Sequence, residues 1–166
     1  KLPEADLSPA DLGEVVHAIE ISVPAILEDV GGGTPVPVEV QVSTATESIR
    51  VRMDPMMLKR GVDNLVRNAI QAVHEAKPEG GGRVFVRAYR RRGSGFIEVR
   101  DNGDGISEEN WDRVFDPYYT TRAEGTGLGL AIVKKVVLEH GGEVRLDRAP
   151  EGGARFCIEL PLLESR

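Results

Sequence analysis

FIEVRDNGDG, residues 96–105, decides how the rest of the chain is read. Phe96 to Arg100 has the pattern of a strand, and DNGDG has the composition of a tight turn. A hairpin turn should lead into a second strand. Here it leads to Ile106, a polar stretch and a second glycine cluster, EGTGLGL at 124–130. Along the strand, Ile97 and Val99 share one face and Asp101 continues their register. The Asp101 carboxylate is therefore expected at the rim of the core, aimed inward, where it needs hydrogen-bond donors. A turn cap or an arginine partner is the ordinary way to meet that need. The exocyclic amine of a purine is another. A calcium loop does not fit: with Gly105 in the sixth position of an EF-hand loop, Arg100 would stand first and Trp111 twelfth, where carboxylates are required.

Outward from this stretch, periodicity assigns the other elements. Asp11 caps a helix through LGEVVHAIEISVPAILEDV, which Pro24 is expected to kink or end. VPVEVQV, 36–42, alternates as a strand, and a short second strand covers 49–53. Asp54-Pro55 is a strong helix start, with the aspartate as N-cap and the proline in the first turn. Leu58, Val62, Leu65, Ala69 and Ala72 follow at spacings of four, three, four and three, which is one buried face. RVFVRAYRR and GFIEVRD form a hairpin around Gly93-Ser94-Gly95. The connecting region 102–126 carries one short helix near 108–114 and few apolar residues to pack with. A loop that long in a compact domain is expected to be functional or mobile, and poorly ordered when no ligand is bound. A helix over 128–140 stops at Gly141-Gly142, and strands EVRLD and ARFCIELPL close the chain. Strands and helices mix without regular βαβ alternation, which predicts an α+β fold, a mixed sheet with helices on one face.

The bulk numbers exclude some functions. The 166 residues suit one domain, and a net charge of -6 lacks the basic footprint of a nucleic-acid binder. No apolar run approaches membrane-spanning length. The single Cys157 excludes an internal disulfide, and its place between Phe156 and Ile158 in the strand alternation makes it a bystander. The run Arg90-Arg91-Arg92 reads as a solvated hairpin end. The first residue is Lys1 rather than Met and the opening is Pro-rich, so residues 1–10 are expected to be a linker from a longer protein and 11–166 the domain proper.

Two further constellations bear on chemistry. The cluster EGTGLGL is neither a dinucleotide fingerprint, whose third glycine comes one residue later, nor a P-loop, which needs Gly-Lys-Ser/Thr. A glycine loop opening a helix still offers backbone N–H groups to a phosphate. A flexible hinge with close helix packing is the alternative. On the helix after Asp54, Asn64, Asn68, Gln71 and Glu75 make a polar stripe beside the apolar one. Solvated faces are usually richer in Lys and Glu, and an amide oxygen suits a magnesium ion that keeps most of its waters.

Taken together, Asn68 in NLVRNAIQA, then DNGDG, VFDPYYTTR, EGTGLGL and GGARF resemble, in this order, the catalytic ATP-binding domain of bacterial sensor histidine kinases. That family lies in the wider group with DNA gyrase, Hsp90 and MutL, and the resemblance runs from about Leu7 to Leu163. It implies a two-layer α/β sandwich, a mixed, mostly antiparallel sheet under three helices (the Bergerat fold). It implies ATP and Mg²⁺ as cofactors, with Asn68 as metal ligand and Asn64 its companion one turn earlier. It makes Asp101 the acceptor from the adenine amine, with Gly103, Gly105 and Ile106 alongside. Phe115, Tyr118 and Tyr119 fall in the lid's phenylalanine box, and Thr121-Arg122 stands where Thr-Lys is usual. Gly125, Thr126, Gly127, Leu128, Gly129 and Leu130 match the second glycine box beside the triphosphate. Two positions depart from the common pattern: Gln71 stands where many members have lysine, as in the nitrogen-regulation subgroup, and Ala154 replaces a common threonine.

The resemblance implies transfer of the γ-phosphoryl group to a histidine in two-component signalling. Gyrase-like ATPases carry a water-activating glutamate where this chain has Asn64, and an amide takes no proton at neutral pH. His74 sits in HEAKP, which faintly matches a phosphoacceptor sequence, but its proline comes one residue early. His17 and His140 sit in ordinary helical patterns. The acceptor is therefore expected on an upstream dimerisation domain before Lys1, with a response regulator as the indirect partner. The fragment is expected to be monomeric and inactive alone. The full protein is expected to be a homodimer with this domain in the cytoplasm, whether or not a membrane anchor precedes it. A serine kinase of the anti-sigma-factor type and a degenerate nucleotide-binding interaction module are the rival readings. The FDPYYTTR lid weighs against the first and the intact boxes against the second.

Overall fold

The computed structural model describes residues 4–119 and 128–163. In chain order it runs β1 (Ser8–Asp11), α1 (Leu12–Val30), β2 (Val38–Ser43), β3 (Arg50–Met53), α2 (Pro55–Ala76), β4 (Gly82–Arg91) and β5 (Ser94–Asp101). A 3-10 turn (Glu108–Asn110), α3 (Gly129–Glu139), β6 (Glu143–Arg148) and β7 (Ala154–Pro161) complete it. The main sheet has the order β2-β4-β5-β7-β6. Only β2 and β4 pair in parallel; the other neighbours are antiparallel. Three helices lie on one face of this mixed sheet, as the element order predicts, in the two-layer sandwich that the resemblance implies.

Periodicity explains the layers. Val84, Val86, Ile97, Val99, Phe156 and Ile158 point from the central strands to the helical face and are buried. They meet Leu12, Val15 and Ile19 of α1, Leu58, Val62, Leu65 and Ala69 of α2, and Val133, Val136 and Val137 of α3 in one core. Asp54 caps α2 as expected, Oδ1 accepting from the Met57 N–H at 3.1 Å. Oδ2 accepts from the Asp6 N–H at 3.0 Å. These bonds, the one from Asp6 foremost, hold the Asp54 carboxyl below the ordinary range. His140 is structural: Nε2 accepts from the Asp54 N–H at 3.0 Å, and Nδ1 lies 2.8 Å from the Val136 carbonyl.

The structure differs from the sequence reading in five places. The opening segment, read as a linker, becomes β1 from Ser8, paired antiparallel with β3. Pro24 neither ends α1 nor splits it, because Ile19 and Ile26 on either side are both buried and hold the helix down. Ala72 is only half-buried; Val73, four residues after Ala69, closes the apolar face instead. The hairpin turns at Arg92-Gly93, both with positive φ, and Ser94 and Gly95 belong to β5. The helix expected near 108–114 shrinks to the 3-10 turn and the bends after it.

The outer face of the sheet carries a feature that alternation alone would not suggest. Glu98, between Ile97 and Val99, faces away from the helices and is 0% exposed. Arg87 Nε donates to it at 2.9 Å, Arg155 Nε at 2.6 Å and Arg100 Nη1 at 3.0 Å. Burial pushes its carboxyl upward, but the hydrogen bonds from Arg87 and Arg155 outweigh burial and hold it below the ordinary value. A folded-state value below the unfolded one gives stability that is present above the unfolded value and fades as pH falls through the folded one. Glu98→Gln should therefore flatten the loss of stability between about pH 5 and about pH 3, measured by urea denaturation at stepped pH. A variant whose acid profile matches the wild type contradicts this account of Glu98.

Candidate functional site

Asp101 ends β5 on the helical face, 3% exposed, where the Ile97–Val99 register puts it. Its Oδ1 accepts from the Gly103 N–H at 2.9 Å and from the Ala154 N–H at 3.3 Å. One bond comes from the turn that follows and the other from the neighbouring strand β7. Together they fix the rotation of the carboxylate. Asn102 turns the other way: Oδ1 accepts from the Arg83 N–H at 2.7 Å, and Nδ2 donates to the Gly81 carbonyl at 2.9 Å. The turn is thus tied to the start of β4 and cannot swing off the sheet.

Backbone crowds Asp101 closely. A Cβ on Gly153 would lie 2.1 Å from Asp101 Oδ1 and 2.4 Å from its carbonyl oxygen. A Cβ on Gly103 would lie 3.1 Å from the same Oδ1, and 3.4 Å and 3.6 Å from Val73 and Ala72 of α2. A Cβ on Gly105 would meet Gly152 and Gly153. These segments can pack so closely on Asp101 only because the three positions lack side chains.

The Gly103–Ala72 approach joins the two halves of the site. Ala72 stands one helical turn beyond Asn68, and Asn68 one turn beyond Asn64, so the amide stripe leads along α2 toward the Asp101 turn. At the other end, Asn64 Nδ2 makes a long contact of 3.5 Å with the carbonyl of Gly129, which starts α3. These approaches make the space between the stripe of Asn64, Asn68 and Gln71, the Asp101 turn and the first residues of α3 the candidate ligand groove. Asn64, Asn68 and Gln71 are each half-buried, as lining residues should be. Leu128, Gly129 and Leu130 sit at the start of α3; Leu130 packs against the core and Leu128 is 38% exposed.

The segment after the turn is better anchored than its composition suggests. Ile106 packs on the core, and its carbonyl accepts from the Trp111 indole N–H at 2.9 Å. Val114 is buried, and Phe115 meets Phe156 edge-on at 5.9 Å. Tyr119 lies under the Arg113 guanidinium at 5.3 Å, while Tyr118 is exposed with φ of 67°. The expectation of few packing residues thus fails over much of 106–119, because Ile106, Val114, Phe115 and Tyr119 pack on the core. Thr121, Arg122, Gly125, Thr126 and Gly127 lie outside the described residues.

The residues bordering the candidate groove are of a kind that suits a magnesium nucleotide. No group of three His, Cys, Asp or Glu side chains among the described residues could hold a metal by itself. A divalent ion here would be shared between the neutral amides and a ligand's own oxygens, the manner in which Mg²⁺ is usually bound. The GGARF box stands out in the sequence, but its pattern does not mark Gly153 or the Ala154 N–H as partners of Asp101. The only signal was the absence of a side chain at 152 and 153.

A family model described as histidine kinase-, DNA gyrase B-, and HSP90-like ATPase matches residues 53–164. Nitrogen regulation protein NtrY of Azorhizobium caulinodans is 40% identical over 121 residues, covering 71% of this chain and 16% of NtrY. The chain thus spans about a sixth of the length of that relative. The mycobacterial sensor histidine kinase MprB superposes with a TM-score of 0.76 at 32% identity, covering 96% of this chain and 99% of that one. The catalytic domain of histidine kinase ThkA does so with a TM-score of 0.78 at 26% identity, covering 95% and 96%. The similarity to NtrY agrees with the nitrogen-regulation character read at Gln71.

Proposed function

This chain belongs to the histidine kinase-, DNA gyrase B-, and HSP90-like ATPase family, as the catalytic domain of a bacterial histidine kinase of two-component signalling; from that premise we propose that it binds Mg-ATP and presents the γ-phosphoryl group to a histidine on a dimerisation domain of the same sensor kinase. The observation that carries this reading is a carboxylate locked by two backbone N–H groups at the end of an amide-lined groove. Asp101 accepts from the adenine amine. Asn68, with Asn64 beside it, holds Mg²⁺, which when bound neutralises charge on the phosphates. The N-terminal turn of α3 offers backbone N–H groups to the triphosphate. Asn64 has no proton-accepting site at neutral pH, so water is not activated as the acceptor. The imidazole nitrogen of the incoming histidine forms the bond to phosphorus as the bond to the β-phosphate oxygen breaks, and ADP leaves. Positioning supplies most of the catalysis.

The partners that follow are the dimerisation domain, a second copy of the full protein and a response regulator that later accepts the phosphoryl group. No helix among the described residues is long and apolar enough to cross a membrane.

Calorimetry on Asn68→Ala tests the division of labour in the groove. Mg-ATP affinity should fall about tenfold while adenosine affinity stays at the wild-type value. Equal loss for both ligands would mean that Asn68 supports the helix rather than the metal.

A further inference from the structure

Asp101 points into the groove, but its neighbour Arg100 points to the outer face of the sheet, and what Arg100 holds there leads back to the same carboxylate. Arg100 Nε donates to both carboxylate oxygens of Glu151, at 3.1 and 3.0 Å. Its Nη1 donates to the buried Glu98 at 3.0 Å, and its guanidinium lies 4.5 Å over the Phe85 ring. Arg100 is held by three partners and its side chain is 21% exposed. Glu151 belongs to the turn between β6 and β7, closed by Gly152 N–H to the Ala149 carbonyl at 2.9 Å and Ala149 N–H to the Gly153 carbonyl at 2.8 Å. That turn carries Gly153 and delivers the Ala154 N–H to Asp101.

We propose that Arg100 and Glu151 are a positioning pair for the nucleotide base: by pinning the β6–β7 turn from outside, they hold Gly153 and the Ala154 N–H against Asp101 and so fix the carboxylate that reads the purine amine. The inference rests on the nucleotide reading above. Neither side chain is among the groove-lining residues, so the pair acts through the turn. An ion pair at a turn is worth little when both groups are fully solvated. Here the arginine is already oriented by Glu98 and Phe85, and little further order is lost in gripping Glu151.

The test uses Glu151→Gln, Arg100→Gln and the double variant, with two nucleotides and one measurement on the nucleotide-free protein. ATP affinity should fall about three- to tenfold in each single variant, and the double should lose no more than the worse single. Purine riboside triphosphate, which lacks the exocyclic amine, should bind all variants as it binds the wild type. Hydrogen exchange of the Ala154 amide should speed up by a similar factor without nucleotide. Equal losses for both nucleotides, additive losses in the double variant, or unchanged Ala154 exchange each overturn the proposal. Should the wild type bind neither nucleotide, the base-reading assignment fails, while Ala154 exchange in the variants still decides whether the pair holds the turn.

Discussion

Asp101→Asn should fold like the wild type and bind ATP about ten- to a hundredfold more weakly. The substitution keeps size and shape. The amide oxygen can still take the place of Oδ1 and accept from the Gly103 and Ala154 N–H groups, so the turn survives. That choice forces the amide nitrogen toward the site of the adenine amine, donor against donor. Turning the amide over restores the adenine bond but sets its NH₂ against two backbone N–H groups. Either way one set of bonds is lost, and the lost bond to the ligand is charge-assisted, worth about 1.5–3 kcal/mol. Calorimetry with ATP, together with a denaturation curve to establish folding, checks both halves. Unchanged affinity in a folded variant contradicts the role given to Asp101.

Gly153→Ala should cost more, because it strikes the same carboxylate from behind. Its Cβ would enter within 2.4 Å of two Asp101 oxygens, and the nearer of these is already engaged by two N–H donors. Relief requires β7 to move off β5 or Asp101 to leave its rotamer. Overpacking of this kind costs typically about 1–3 kcal/mol and more where backbone must shift. The expected result is a fall in stability of about 3 kcal/mol and loss of measurable ATP binding. Gly129→Ala is the control for stability, since among the described residues nothing lies within 4 Å of the added methyl and the site is helical; it should be neutral or stabilising by up to about 1 kcal/mol. A Gly153→Ala protein with the wild-type denaturation midpoint and affinity contradicts the close approach.

What could be read in the sequence was local. Asp54-Pro55 starts a helix because cap chemistry and proline geometry act within one turn, and Ile97, Val99 and Asp101 share a face because a strand alternates. These two local facts place both walls of the groove. The remainder depends on pairing between distant segments. Asp101 and the Ala154 N–H are 53 positions apart and meet only because β5 and β7 are neighbours in the sheet. Glu98 breaks the alternation rule for the same reason: three arginines from β4, β5 and β7 converge on it. Ser8–Asp11 becomes a strand only because β3 offers it an edge, which the proline-rich composition conceals. The Ala72 and Val73 exchange is a different case, a drift of the 3.6-residue period at the end of a long helix.

The central claim is that this chain supplies nucleotide and geometry, and another domain supplies the nucleophile. Incubation of the protein with γ-labelled ATP and magnesium, alone and then with the separately produced helical dimerisation domain of the same sensor kinase, tests it most directly. Acid-labile label should appear on the added domain and nowhere else, with no steady release of phosphate by this chain alone. Label on His74, phosphate release without the second domain, or no transfer to it would contradict the account.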